Sequence, residues 1–316
     1  MKKWFIGLLI GAVLLISSVY LFIPNVISIK SEMIINTSRS GLFRILMDNE
    51  KWAKWWPSKE ILPSTDYNQQ NLLYNGISYK VNSKNISQLK IDITDKAIYL
   101  SSVLYLISSK SDSVKLVWES QLPTSYNLIK RFFAYQKAQK IKRDFDSILK
   151  KMGTYFSKTE NIYTAPIEQV LVSDTSLIAT FGNSKNYPST AFIYSLIDKL
   201  KIYALSNGAQ ETGFPMLNIN TTDSVNFTVK VALPVNKRLP NTETIFYKWM
   251  MYGGKILVME VKGGNGTTNK ALLHMSDYIS DFQRMAPAIP FFSLVTDRRN
   301  EPDSSKWTTK IYYPVM

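Results

Sequence analysis

Apolar residues run almost without interruption from Trp4 to Ile23, and no charged residue occurs between Lys3 and Lys30. A helix of about 20 residues rising about 1.5 Å each is about 30 Å long, the thickness of the bilayer hydrocarbon. Lys2 and Lys3 precede the run, and Trp4 and Tyr20 lie near its ends, where interfacial aromatics are favoured. A cleaved signal peptide is the competing reading. Ser17-Ser18 offers a small pair, but Tyr20-Leu21-Phe22-Ile23 carries the run past it and no A-x-A-like site follows. The pattern predicts an uncleaved single-pass anchor over residues 1–25. The basic start places the N-terminus in the cytoplasm and the bulk outside, with the bilayer as a partner through residues 4–23.

Beyond the anchor the period changes several times. Val26–Ile35 reads as a strand. Thr37-Ser38 then caps a short helix with apolar residues Leu42, Phe43, Ile45 and Leu46, which ends before Asp48-Asn49. Strand-like segments follow at Gly76–Val81, Leu89–Ile93, Ala97–Ile107 and Val114–Glu119, separated by polar and turn-prone residues, as in an antiparallel meander. Ser125 to Phe156 switches to helical spacing. Ile141, Phe145, Ile148, Met152 and Tyr155 form one face, and Lys137, Lys140, Lys142, Arg143, Lys150 and Lys151 the other. Ser157–Asn161 is a polar boundary.

The remainder reads as a loose duplication. Strand Ile167–Val172, helix Ala191–Leu205 and strands Pro215–Ile219 and Val225–Leu233 form the first copy. After a connection with a short strand at Thr244–Met250, strand Lys255–Val261, helix Asn269–Phe282 and strands Phe291–Val295 and Trp307–Tyr313 form the second. The expected fold is α+β in two domains behind the anchor, at 26–157 and 162–316.

Composition narrows the chemistry. The 316 residues are 45% hydrophobic, enough for two cores. Without cysteine there is no thiol nucleophile or thiolate metal site, and with His274 as the only histidine no ordinary zinc site can be built. No metal or cofactor is expected. The net charge of +14 is uneven: residues 1–160 hold 23 Lys and Arg against 12 Asp and Glu. That favours anionic partners. The basic helix face reads first as a solvated face and second as a contact for anionic lipid or an acidic protein.

The first half resembles the START-like superfamily (SRPBCC, polyketide-cyclase/dehydrase-type domains). The resemblance rests on the strand Ile27–Ile35, on Asn36-Thr37-Ser38 leading into Leu42 to Asp48, on Trp52, Trp55 and Pro57, on Val117-Trp118, and on the long closing helix. It implies a helix-grip fold, a curved sheet around a helix with an apolar cavity. The second half is similar to the gyrase-inhibitory-protein-like small-molecule-binding domain, the effector sensor of AraC-type and MerR-type regulators. Here the residues are Gly213-Phe214-Pro215-Met216, Val231 to Val235, Gly253-Gly254-Lys255, and the ending Pro302-Asp303 through Lys306-Trp307 to Pro314. The sensors join this domain to a DNA-binding helix-turn-helix. The anchor and the START-like domain stand in that place here, so no nucleic-acid partner is expected. Many sensors also hold a pocket glutamate shortly before a Thr-Asp pair. In Phe291 to Asp297 its place falls to Phe292.

Nine residues are candidate ligand contacts: Trp52, Trp55, Trp118, Trp249, Tyr252, Glu260, Phe292, Trp307 and Tyr312. Each has a structural alternative. The tryptophan cluster suits a cavity mouth or a core equally. Glu260 shares a strand face with Ile256 and Val258, and reads as an edge residue reaching water before it reads as a pocket acid. His274 reads as a partnered structural histidine, and Gly263 to Gly266 as a turn that lacks the Lys-Ser/Thr of a phosphate loop. No catalytic residue is assigned. The expected function is a membrane-anchored, noncatalytic binder or sensor of small amphipathic or apolar molecules. A cyclase/dehydrase-like or hydrolase-like enzyme is the alternative, and a membrane-proximal protein-binding scaffold the second. The sequence specifies no protein partner.

Overall fold

The fold is described from a computed structural model, over residues 2–58, 61–62, 69–95, 98–110, 112–173, 175–221, 223 and 225–316. It divides into two compact units, Met1–Lys158 and Thr159–Met316. The architecture is α+β with two antiparallel sheets, one in each unit.

Unit 1 begins with helix α1 (Lys2–Phe22). Among the described residues, no helix is long and apolar enough to cross a membrane. Strand β1 (Val26–Ile35) follows, then α2 (Arg39–Met47), where the Ser38 side chain accepts from the Gly41 N–H at 2.9 Å. Helix α3 (Trp52–Trp55) is a single turn. Strands β2 (Ile61–Leu62), β3 (Gln70–Tyr74), β4 (Ile77–Asn85), β5 (Gln88–Asp95), β6 (Ile98–Lys110) and β7 (Ser113–Pro123) form a meander that β1 closes in the order β1-β7-β6-β5-β4-β3-β2. The sequence pattern did not reveal β2 and β3, which are too short to show a period. Ala97, the expected start of β6, lies outside the described residues.

Helix α4 (Leu128–Phe156) packs across this sheet, chiefly on β1. The stripe Ile141, Phe145, Ile148 and Met152 is fully buried. Phe145 stacks on Trp118 with ring centroids 4.1 Å apart and planes 5° from parallel. The Asp144 carboxyl group is buried in this contact. Asp144 of α4 accepts from the Tyr79 hydroxyl at 3.2 Å and from Asn75 Nδ2 at 2.8 Å, so its oxygens are satisfied without a cation. Burial, and then the Asp144 charge, push the Tyr79 phenol far above its ordinary value.

Unit 2 begins with α5 (Glu160–Tyr163) and β8 (Glu168–Leu171), then β9 (Ser176–Ser184), α6 (Thr190–Ser206), β10 (Met216–Thr221) and β11 (Phe227–Pro234). After β12 (Phe246–Trp249) come β13 (Lys255–Lys262), α7 (Asn265–Asp281), β14 (Phe291–Leu294) and β15 (Thr308–Pro314). The duplication is present as β9-α6-β10-β11 and β13-α7-β14-β15. Its first strand is β9, however, and not the segment Ile167–Val172. In β9 buried Leu177 and Ile178 are adjacent and Gly182-Asn183 follow, so no two-residue period announces a strand. Helix α7 also starts four residues before the expected Asn269. It takes Gly266 into its first turn, and Thr268 Oγ1 donates to the Gly264 carbonyl.

The sheet order is β12-β9-β11-β10-β14-β15-β13-β8, which places the copies back to back across a short β10–β14 pairing. Leu217, Phe292, Ile311 and Met259 form one cross-strand row, all buried on the face that α6 and α7 cover. The opposite face carries the row Met216, Ser293, Lys310, Glu260 and the row Phe291, Tyr312, Val258, Glu168.

Phe145→Ala should lower the unfolding free energy of unit 1 by about 3–5 kcal/mol, the cost of truncating a fully packed aromatic. Urea denaturation checks this, and a loss under about 1 kcal/mol would contradict the stacked core.

Candidate ligand-binding cleft in unit 2

The connections of unit 2 shape the site. β8 lies at one edge of the sheet, yet the next strand, β9, lies six strands away. β12 and β13 are related the same way in reverse. Both connections are short, and they bond to each other. The Val172 N–H donates to the Gly254 carbonyl at 2.9 Å, and the Gly253 N–H to the Val172 carbonyl at 3.0 Å. The Met250 N–H donates to the Thr175 carbonyl at 2.9 Å. Gly253 has φ +73°, a conformation that a side chain would disfavour.

A cleft of about 300 Å³ lies between these crossing segments and the uncovered sheet face. Its floor is the Phe291–Tyr312 pair, stacked at 5.1 Å, with Met216, Ser293 and Lys310 beside it. Val172, Ser173 and Met250 of the crossings and Phe214 of the β10 approach complete the wall. Lys310 Nζ lies 3.7 Å from Glu260 Oε2, and both side chains are partly exposed. The cleft thus combines aromatic and aliphatic surface with the hydroxyl-bearing residues Ser173, Thr212, Ser293 and Tyr312 and the Lys310 ammonium group. A second cleft of about 500 Å³ shares Thr212, Gly213 and Phe214 with the first and is lined by Lys201, Glu211 and Asp297 as well.

The nine candidate residues separate into five environments. Tyr312 is in the cleft floor, and Glu260 stands at the end of the row that runs through Lys310. Trp249 and Tyr252 flank Met250 at the crossing and are largely exposed. Phe292 belongs to the helix-covered face, where it lines a separate pocket of about 270 Å³ with Leu272 of α7. The residue that faces the cleft at this point is Ser293. Trp307 packs under the Arg298 guanidinium at 4.6 Å and donates to the Glu301 carbonyl at 2.7 Å. Arg298 is itself buried and donates to Asn265 and Thr309. Burial holds it below its ordinary value, opposed by Tyr194 and Tyr187.

Trp52, Trp55 and Trp118 lie in unit 1 and are each 1% exposed. Trp52 and Trp55 lie 4.7 Å apart, Trp55 touches Phe156, and Trp118 donates to Ser102. These side chains fill the space between sheet and helix. His274 Nδ1 lies 2.6 Å from the Thr164 hydroxyl and 3.1 Å from the Tyr163 carbonyl, the bonded surroundings of a structural histidine. Among the described residues no His, Asp and Glu cluster could hold a metal ion. Sequence reasoning passed over Phe291, Ser293 and Lys310. The two-residue period puts Lys310 on the strand face of Tyr312, and Ser293 on that of Phe291, but does not tell which face the helices leave uncovered.

No protein-family model matches the chain, and no curated protein matches it. Among solved structures it is similar to EcmrR in a cryo-EM structure of an EcmrR–DNA complex, with 18% identity, 60% of this chain and 72% of that chain covered, and a TM-score of 0.43. It is similar to the C-terminal domain of EcmrR, with 16% identity, 48% and 98% covered, and a TM-score of 0.41. It is also similar to the Zhui aromatase/cyclase from Streptomyces sp. R1128, with 10% identity, 40% and 90% covered, and a TM-score of 0.31.

Trp307→Ala should destabilise unit 2 by about 3–5 kcal/mol, by removing a large packed ring and the support under a buried cation. Ligand affinity measured well below the melting temperature should be unchanged. A loss of affinity with no change in melting temperature would place Trp307 in the binding surface instead.

Proposed function

We propose that this protein is a membrane-anchored, noncatalytic binder of small amphipathic or apolar molecules, and that the cleft of unit 2 holds the ligand. The observation that carries this reading is the uncovered sheet face under the crossing segments, where the Phe291–Tyr312 pair converges with Ser173, Thr212, Ser293 and Lys310. Ligand sites have this composition: apolar walls supply affinity through burial, and a small number of polar groups fix orientation. The volume of about 300 Å³ suits a ligand of one or two rings.

Lys310 selects within that class. An anionic group beside it forms a charge-assisted contact, while a cation there meets a like charge and must lose its hydration. Phe291 and Tyr312 offer a cation only ring faces, a weaker compensation. Neutral or anionic aromatic molecules are therefore the preferred ligands. Glu260 acts as the resting partner of Lys310 and competes with an incoming anion. A hydrolase-like role for Glu260 gains no support from this placement, because the carboxylate is half exposed beside an ammonium group. Anchoring is proposed on the sequence of α1: an uncharged apolar run behind Lys2-Lys3, with the bulk of the chain extracytoplasmic.

The test is a fluorescence or calorimetric titration of the full chain in detergent with three ligands of one ring system: a naphthalene sulfonate, a naphthyl methanol and a naphthylmethyl ammonium. The sulfonate and the alcohol should bind more tightly than the ammonium. Lys310→Met should weaken sulfonate binding about tenfold, equivalent to about 1.4 kcal/mol, and leave the alcohol nearly unaffected. Tighter binding of the ammonium, abolished by Glu260→Gln, would reverse the charge preference.

A further inference from the structure

The junction of α1 with unit 1 is built from several fixed contacts. Arg131, the first buried residue of α4, donates from Nε to the Ile23 carbonyl at 2.9 Å and from Nη2 to the same oxygen. Its guanidinium also lies 5.0 Å from the Tyr20 ring. The carbonyl it binds stands just past the end of α1, where helix C-terminal carbonyls lack intrahelical partners and attract cations. The Tyr20 hydroxyl donates to the Tyr126 carbonyl, and the Thr124 N–H to the Asn25 carbonyl at 2.8 Å. β1 then pairs with β7 from its first residue, Val26 against Pro123. No flexible linker separates α1 from the sheet, and the start of α4 is held beside the end of α1.

That start of α4 is unusual in what it exposes. Ile129, Phe132 and Phe133 recur at helical spacing on one side and are 64%, 47% and 65% exposed, with Tyr126 just before them at 86%. A groove of about 500 Å³ runs from Phe133 to Ile98 of β6, and Lys130 and Lys140 stand at its rim. Elsewhere the apolar stripe of the same helix is fully buried. A contiguous aromatic patch on a surface marks a contact. Aromatic and aliphatic side chains on one side with lysines beside them are the composition of a helix lying in a bilayer interface, where rings sit at headgroup depth and ammonium groups meet phosphates.

We propose that the surface formed by Tyr126, Ile129, Phe132 and Phe133 rests in the headgroup region of the bilayer, so that unit 1 lies against the membrane as a fixed body rather than hanging from a tether. This rests on the reading of α1 as a membrane anchor. Two features select a bilayer as the occupant. The patch adjoins the end of α1, where a bilayer holding that helix would have its surface, and the lysines at its rim complement lipid phosphate.

The chain lacks cysteine, so single spin labels can be placed without background. The full chain is reconstituted into vesicles of phosphatidylcholine and phosphatidylglycerol, and three variants are compared for accessibility to oxygen and to a water-soluble nickel chelate. Phe133→Cys reports the patch, Gly11→Cys reports α1, and Lys150→Cys reports the far part of α4. A side chain added at Gly11 meets nothing within 4 Å. The expected result is a deep label at 11, an interfacial label at 133 with nickel accessibility reduced several-fold against 150, and a fully aqueous label at 150. A deep label at 11 with position 133 as aqueous as 150 would overturn the interfacial contact and leave the anchor standing. An aqueous label at 11 would overturn both. Spin–spin broadening at 133 that dilution with unlabelled chain removes would give the patch to a second copy and would also overturn the proposal.

Discussion

Chain length imposes the central constraint on unit 2. β8 and β9 stand six positions apart in the sheet, about 29 Å if the sheet were flat at about 4.8 Å per strand. Five residue steps join Leu171 to Ser176, and a fully extended chain covers about 3.5 Å per step, at most about 18 Å. The six steps from Trp249 to Lys255 meet the same shortfall. The sheet must curl until its two edges approach, and the connecting segments then bond to one another through Val172, Gly253 and Gly254. A curled sheet has a concave face. With α6 and α7 on the other side, the concave face is left uncovered except where the crossings pass over it.

The two units spend similar apolar residues differently. In unit 1 the helix fills the curve of its sheet, and Trp118, Phe145, Trp52 and Trp55 occupy the interior. In unit 2 the helices lie on the far face, so Phe291 and Tyr312 stack at 5.1 Å and still present surface to solvent. The cross-strand row through Met216, Ser293, Lys310 and Glu260 adds polar groups to that surface at spacings fixed by the ladder. Register decides which side chain faces the cleft. A shift by one residue would exchange Ser293 for Phe292 and turn the site into core.

Much of the fold is legible in the sequence wherever burial imposes a clean period. β1, α4 and the alternating β11 are examples: one face of each is buried and the apolar spacing reports it. β9 was hidden because adjacent Leu177 and Ile178 are both buried and Gly182-Asn183 dilute the rest. The start of α7 was hidden because Gly264 caps it without a side chain and Gly266 lies within its first turn. The candidate site was less legible. Aromatic identity drew notice to Trp307, which supports Arg298, and to the tryptophans of unit 1, which are buried against neighbouring rings. Lys310 drew none, because a lysine on a strand reads as an outward surface residue until strand order shows which face is left uncovered. Strand order depends on the long-range crossing of β8 and β12, and no local pattern encodes it.

The concave face of unit 2 is the proposed ligand site. Methyl NMR of the full chain, labelled at methionine and titrated with a naphthalene sulfonate, tests this directly. Met216 and Met250 line the cleft, whereas Met259 and Met275 are fully buried elsewhere in unit 2 and Met152 lies in the core of unit 1. The ligand should shift the Met216 and Met250 methyl signals in a saturable way and leave the other three in place. Saturable shifts at Met152, or at Met259 and Met275 with Met216 and Met250 unmoved, would place the ligand elsewhere and contradict the proposed site.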